Sequence, residues 1–307
     1  MAEWLEGKTL AGEIREKIKS EVLEIKAAKN EVPGLAAILV GENKASQIYV
    51  RMKKRACDKL GIASEVIPLP METQPEALHE TIKELNEKVE MDGILVQLPL
   101  PPQLNPYEAI STIHPYKDVD GIHPISMGNL LMNEIGLRPA TPTGIMELLK
   151  FRDISVEGQN IVIIGRSLIV GKPLALMMTN AHGTVTLCHS RTKNLPEVAA
   201  AADILVAAMG KPAFVTPEFV KEGAVVVDVG TSQFENKERV IELFGADDKR
   251  VEDFAKKGYT VIGDVHPKVF EKAAFVTPVP GGIGPLTIAF LMKNTLDAYK
   301  MRRGNTT

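Results

Sequence analysis

Residues 161–178 read IVIIGRSLIVGKPLALMM. Four β-branched residues, Ile161 to Ile164, form the short apolar run of a parallel strand covered on both faces. Gly165 then allows a sharp turn, Gly171 lets two backbones approach, and Pro173 suits the first turn of a helix. A strand that feeds a helix start in this way makes a diphosphate site. Free backbone N–H groups and the helix dipole both favour an anion there. The spacing departs from G-x-G-x-x-G, because Ser167 replaces the second glycine and the last comes late, at Gly171. An ordinary strand–helix turn could share so loose a pattern, so its meaning depends on the rest of the chain.

Outward from that turn, apolar runs alternate with helical patterns. Strands are expected at Leu35–Val40, Ala63–Leu69, Gly93–Leu98, Ile161–Ile164, Thr184–Cys188, Ile204–Ala208, Ala224–Val229 and Tyr259–Ile262. Helices are expected at Lys44–Leu60, Gln74–Lys88 and Gly171–Asn180. This alternation predicts an α/β fold with parallel sheets. Prolines and glycines cluster at 97–106 and 276–285, with a third break at RPATPTG, 138–144, where Thr141 can cap a helix that begins at Pro142. Two domains are therefore expected: 1–139 plus 278–307, and a Rossmann-like dinucleotide-binding domain over 140–277. The last helix, Pro285–Lys300, is expected to return to the first domain.

Composition sets the outer bounds. A chain of 307 residues, 45% hydrophobic and 24% charged, has the length for two domains and the apolar content for a good core. A net charge of −3 gives no electrostatic case for nucleic acid or an anionic membrane. Two cysteines, Cys57 and Cys188, make no disulfide framework and suit a reducing, cytoplasmic setting. The N-terminus enters an amphipathic helix without a basic-then-apolar leader, and no apolar run approaches the ~20 residues that span a bilayer.

Three segments carry residues able to do chemistry. In SQIYVRMKKRACDKLG, 46–61, Tyr49 and Lys53 lie four apart and share a helix face. Tyr49, Met52, Ala56 and Leu60 trace an apolar stripe with Lys53 on its border, where partial desolvation would lower the lysine's pKa toward an acid–base range. A solvated lysine beside a core tyrosine is the plainer reading. In GILVQLPLP, 93–101, a buried strand ends at Gln97 and the prolines stop the ladder. Ligands of open α/β sheets bind beyond such strand ends, and an amide there donates and accepts at once, although a turn-stabilising role is equally open. KDVDG, 117–121, places Asp118 and Asp120 in a turn, one able to cap local backbone while the other faces a pocket. No His or Cys spacing supports a metal.

The cofactor side has its own discriminator. An NAD-binding fold usually carries an acid at the end of its second strand, bonded to the ribose 2′-OH. Here that strand ends in His189, Ser190 and Arg191. A hydroxyl and a cation stand where a 2′-phosphate needs partners, and Arg166 in the turn adds a second guanidinium fork. NADP is the expected cofactor, with NAD the alternative.

Taken together, VGENKAS, YVRMK, DGILVQLPLP, KDVDG, PATPTG, GRSLIVGKP, VTLCHSRT, VVVDVG, GDV and TPVPGGIGPLT occur in one order over nearly the whole chain. This series resembles the bifunctional methylenetetrahydrofolate dehydrogenase/methenyltetrahydrofolate cyclohydrolase family. The resemblance implies an N-terminal folate-binding catalytic domain and a folate site in a cleft between the domains. Lys53 becomes the catalytic lysine, Tyr49 lines the folate ring system, Gln97 holds and tunes Lys53, and Asp120 bonds the pterin edge. Val96 and Leu98 flank Gln97 at the substrate, and the loop with Pro280, Gly281, Gly282, Gly284 and Pro285 closes over it. Gly165, Arg166, Ser167, Gly171, Ser190 and Arg191 hold the cofactor, with Gly230 and Thr231 near the nicotinamide. Tetrahydrofolate derivatives as partners and a homodimer through the sheet edge of the cofactor domain are implied as well. A monofunctional or NAD-dependent member of the family is the alternative, and a non-catalytic binding module or a dehydrogenase for another small substrate stands further off. The stretch after VVVDVG departs from the family pattern. It is longer, and Thr231 stands where an apolar neighbour of the nicotinamide is common; Ala140 and Leu286 are tolerable packing changes.

Overall fold

The computed structural model describes residues 2–304. The chain divides into two compact units, one of Thr141–Leu286 with the first ten residues, the other of Ala11–Ala140 with Thr287 onward. The strands in chain order are β1 (Glu3–Trp4), β2 (Gly34–Val40), β3 (Ala63–Leu69), β4 (Gly93–Val96), β5 (Asn160–Ile164), β6 (Thr184–Cys188), β7 (Ile204–Ala207), β8 (Val225–Asp228), β9 (Ser232–Phe234), β10 (Thr260–Ile262) and β11 (Phe275–Val276).

The Ala11–Ala140 unit is built on a parallel sheet of order β3-β2-β4. β2 is buried along its whole length, as its uninterrupted apolar run GLAAILV requires. Ala36, Ile38 and Val40 pack with Leu78, Ile82 and Leu85 of the Pro75–Glu87 helix and with Ile94 and Val96 of β4. The Lys44–Leu60 helix starts where the Asn43 side chain accepts the Ser46 N–H at 3.0 Å, and stops at Gly61, whose φ of +75° is left-handed. The Ile283–Tyr299 helix contributes its later turns to this unit, with Cys57 Sγ 3.5 Å from Met292 Sδ. Beyond it, Arg302 and Arg303 both grip Asp92, which has no solvent exposure and also accepts the Gly34 N–H at 3.0 Å.

The Thr141–Leu286 unit carries a six-stranded sheet of order β1-β11-β8-β7-β5-β6, parallel throughout. Val162, Ile164, Leu205, Ala207 and Val226 form the centre of its core. At Gly165 φ is +129°, and a Cβ on Gly171 would lie 1.9 Å from the Gly165 carbonyl oxygen. The turn and the helix start thus touch backbone to backbone, as the glycine pattern predicts.

Several expectations need adjustment. The first ten residues belong with the dinucleotide-type unit rather than with 11–139, because β1 pairs with β11 and extends the large sheet. The segment from Pro278 to Leu286 also groups there, and the last helix starts at Ile283 and not at Pro285, so Gly284 and Pro285 lie in its first turn. The strand expected at Tyr259–Ile262 leaves the parallel sheet and pairs antiparallel with β9. The helix over 140–151 begins at Ala140, so Thr141 lies inside it rather than capping it. Pro142 is tolerated there since first-turn N–H groups have no intrahelical partner. Among the described residues no helix is long and apolar enough to cross a membrane, and no cluster of His, Cys, Asp or Glu suits a metal ion.

Candidate active site

On the Lys44–Leu60 helix the buried positions are Ser46, Val50, Cys57 and Leu60. Their spacing of four, seven and three residues leaves a gap in the stripe, and Lys53 fills it. Lys53 thus shares the buried face while remaining half-buried itself. Tyr49 and Met52, expected within the stripe, are 39% and 42% exposed. The apolar count misleads here because the helix buries a serine and a cysteine in place of a tyrosine and a methionine.

Lys53 Nζ donates to Gln97 Oε1 at 3.0 Å. β4 ends one residue earlier, and the Gln97 N–H still bonds the Ile38 carbonyl at 2.9 Å, so the strand ladder sets where the amide sits. Gln97 Nε2 donates to the Leu98 carbonyl at 2.8 Å, which fixes the amide orientation and leaves Oε1 for the lysine. One amide donates and accepts at once. Val96 is buried and Leu98 half-buried on either side.

The two acids of the KDVDG turn divide their tasks. Asp118 is buried, and its Oδ2 accepts the His123 N–H at 2.7 Å and the Ser126 hydroxyl at 2.8 Å. Burial pushes its pKa up to about 6 against the pull of those bonds. Asp120 is the charged neighbour of Lys53. Burial lowers the lysine's pKa and the Asp120 charge draws it back up; burial raises the Asp120 carboxyl and the lysine draws it down. Each desolvated charge thus makes the other tolerable.

At the other candidate site, β5 and β6 end side by side. Ile164 faces Cys188 in register, and the Gly165 N–H bonds the Cys188 carbonyl at 2.9 Å. The side chains of Arg166, Ser167, Ser190 and Arg191 emerge exposed from these two ends. The start of the Gly171–Asn180 helix is less open than the sequence suggests. Ser167 Oγ accepts the N–H groups of Val170 and Gly171 at 3.1 and 3.4 Å, and the Ser167 carbonyl takes that of Lys172 at 3.1 Å. The donors expected to be free are spent locally, so an anion here relies on the helix dipole and Arg166.

Two further acids act on this side and had no role in the sequence reading, although their motifs, VVVDVG and GDV, were visible. Asp228 accepts the N–H groups of Gly230, Asp264 and Val265, each at 2.9 Å, and burial pushes its pKa up to about 7. Asp264 Oδ2 accepts those of Met209 and Gly210 at 2.7 and 2.9 Å. A Cβ on Gly263 would meet Asp228 at 1.9 Å, and one on Gly230 would meet Asp264 at 2.5 Å. The acids thus hold the turns after β7 and β8, including the expected Gly230–Thr231 segment. A glycine next to a buried aspartate was the available signal.

Two family models match the chain: the catalytic domain of tetrahydrofolate dehydrogenase/cyclohydrolase over residues 5–120, and its NAD(P)-binding domain over residues 139–303. The chain belongs to the tetrahydrofolate dehydrogenase/cyclohydrolase family. Within that family it is 50% identical to the bifunctional protein FolD of Koribacter versatilis, over 100% of this chain and 99% of the relative. The crystal structure of the FolD dehydrogenase/cyclohydrolase of Campylobacter jejuni is similar at 40% identity and a TM-score of 0.88, covering 98% of this chain and 100% of that one. The Trypanosoma brucei enzyme, solved with NADP cofactor and an inhibitor, is similar at 35% identity and a TM-score of 0.88, with 98% of each chain covered. Lys53, Gln97 and Asp120 lie in the part matched by the family's catalytic domain, and the Gly165–Gly171 turn in the part matched by its NAD(P)-binding domain.

Proposed function

We propose that Lys53, Gln97, Asp120 and Tyr49 carry the chemistry of an NADP-dependent 5,10-methylenetetrahydrofolate dehydrogenase and 5,10-methenyltetrahydrofolate cyclohydrolase. The observation that carries the assignment is the 3.0 Å bond from a desolvated lysine to an amide whose other end is fixed. The cofactor fits this chain's residues. Gly165 and Gly171 bring the turn and the helix start into backbone contact, and Arg166, Ser190 and Arg191 stand exposed beside it, offering a fork, a hydroxyl and a second cation for a 2′-phosphate. When bound, the nicotinamide accepts hydride from the bridging carbon of the folate, leaving the methenyl cation.

That first step needs orientation more than a base, because the folate's own nitrogen lone pairs stabilise the cation. Asp120 and Tyr49 supply contacts for the pterin, and Pro280–Pro285 with Gly281, Gly282 and Gly284 supply a covering loop. In the second step water adds to the methenyl carbon and gives up a proton. The resulting hydroxyl then loses its own proton as the carbon–N5 bond breaks and N5 is protonated, giving 10-formyltetrahydrofolate and one proton released to solvent. Lys53 moves those protons between water and N5, with Gln97 holding the amine in place. The product class is that of one-carbon metabolism.

Two exposed-edge and redox features support the remaining reading, a cytoplasmic homodimer. β6 is an edge strand of the six-stranded sheet with Thr184 and Thr186 exposed, and Cys57 and Cys188 are unbridged. Sedimentation at the 33.5 kDa protomer mass would remove the dimer.

The function is tested by offering 5,10-methylenetetrahydrofolate with NADP⁺ and with NAD⁺ while following methenyl absorbance. Reduction of NADP⁺ with little methenyl build-up is expected. In Lys53→Met, hydrolysis of added methenyltetrahydrofolate should fall at least ~10²-fold, the usual worth of a positioned acid–base group. Unchanged hydrolysis sinks the lysine assignment.

A further inference from the structure

Between β9 and β10 the chain forms a helical hairpin, Lys237–Phe244 and Lys249–Lys257. Among the described residues, its strong polar contact beyond itself is made by Arg250. Arg250 Nη2 donates to the Val279 carbonyl at 2.7 Å, at the start of the Pro280–Pro285 loop. The guanidinium is fixed on two other sides. Nη1 meets both Asp248 oxygens at 3.2 Å, and the plane stacks over the Phe244 ring at 4.2 Å from its centroid. An arginine so held behaves as a rigid strut, because its rotamer entropy is already spent within the hairpin.

Beside Pro278 and Val279 lies a cavity of about 350 Å³, lined by hairpin residues Leu243 and Phe244 and by His266 and Phe270. Val279 is itself buried, and on that side it borders the cavity. Other backbone bonds of the segment include the Gly7 N–H on the Gly281 carbonyl at 3.1 Å and the internal bond from the Gly282 N–H to the Pro278 carbonyl at 2.7 Å. Val279 is the point where the hairpin takes hold.

We propose that Arg250 is a positioning residue for the folate substrate: through the Val279 carbonyl it sets the Pro280–Pro285 loop in its binding conformation. The proposal rests on the reading of that loop as a substrate segment. Among the described residues Arg250 meets Asp248, Phe244 and Val279 and not the Gly165–Gly171 turn, so its loss acts on folate and spares the dinucleotide.

The test is Arg250→Ala in the full-length enzyme, with two readouts. Amide hydrogen exchange at Gly281, Gly282 and Gly284 should speed up about tenfold or more while β5–β8 amides are unchanged. KM for 5,10-methylenetetrahydrofolate should rise about 5–20-fold with KM for NADP⁺ within twofold, and Arg250→Lys, which keeps charge but loses the fork, should fall between. Unchanged loop exchange overturns the strut itself. Faster exchange with an unaltered folate KM overturns the loop's part in substrate binding while leaving the lysine chemistry standing. If Arg250→Ala does not fold, Asp248→Asn, which frees the same guanidinium from one side, decides by the same two readouts.

Discussion

A half-buried, desolvated lysine with one amide and one acid beside it has few ways to stay in the fold. At Lys53 burial disfavours the ammonium, and the Asp120 charge is what draws the pKa back up. Replacing Asp120 with Asn removes that pull, so the lysine should lose its proton at lower pH. If the neutral amine is the working form in methenyl hydrolysis, the acid limb of the pH–rate profile moves toward lower pH in Asp120→Asn. A weaker folate affinity should accompany it. A limb that moves upward, or stays put, would mean that Lys53 does not set it. The neighbouring Asp118 is no substitute, since both its bonds serve the backbone turn and Ser126. This division of two acids one residue apart was legible in the sequence as a possibility, and a turn glycine at 121 made it geometrically available. Which acid took which task was not legible, because that depends on which carboxylate the strand end at Gln97 leaves facing the lysine.

Among the elements, the strand–turn–helix at 160–180 joins the most function to the least tolerance. A Cβ on Gly171 would meet backbone on the far side, and backbone cannot rotate away as a side chain can. Gly171→Ala should therefore push the helix off the turn. We expect NADP⁺ affinity to fall about tenfold or more, read by nucleotide fluorescence. Hydrolysis of methenyltetrahydrofolate should persist, since Lys53, Gln97 and Asp120 all belong to the other unit. Loss of both activities together would instead mean general unfolding. The glycines here announced themselves in the sequence, as did the long β-branched strands. Glu3–Trp4, Ser232–Phe234 and Phe275–Val276 did not. Runs of two or three residues carry no periodicity, and only the partner strand makes them strands. The Lys53 stripe failed for a related reason: tertiary packing selected small residues over large apolar ones.

For the molecule as a whole, the decisive arrangement is that neither unit is continuous in sequence. The return of the last helix was foreseeable from the proline–glycine break before it, whereas the contribution of the first ten residues was not. Asp92 closes the Ala11–Ala140 unit by holding Gly34, Arg302 and Arg303 at once, with no solvent exposure of its own. Asp92→Ala should leave two guanidinium groups facing an empty site. Removing one partner of a buried ion pair costs about 3–5 kcal/mol. Urea unfolding should show that loss, and a change below about 1 kcal/mol would mean that the arginines find other partners.

The same closure has a temporal side. A ribosome that has made the first 140 residues has made the lysine, the amide and the acid of the active site, yet it has not made the Thr287 helix that completes their domain. At about 5–20 residues per second, the early half waits for several seconds to half a minute while the dinucleotide-type sheet is synthesised and can form ahead of it. The half of the protein that leaves the tunnel first is thus finished last. A nascent chain arrested before residue 287 should hold a folded nucleotide-binding sheet beside an unfinished catalytic one, which is the state a chaperone would meet.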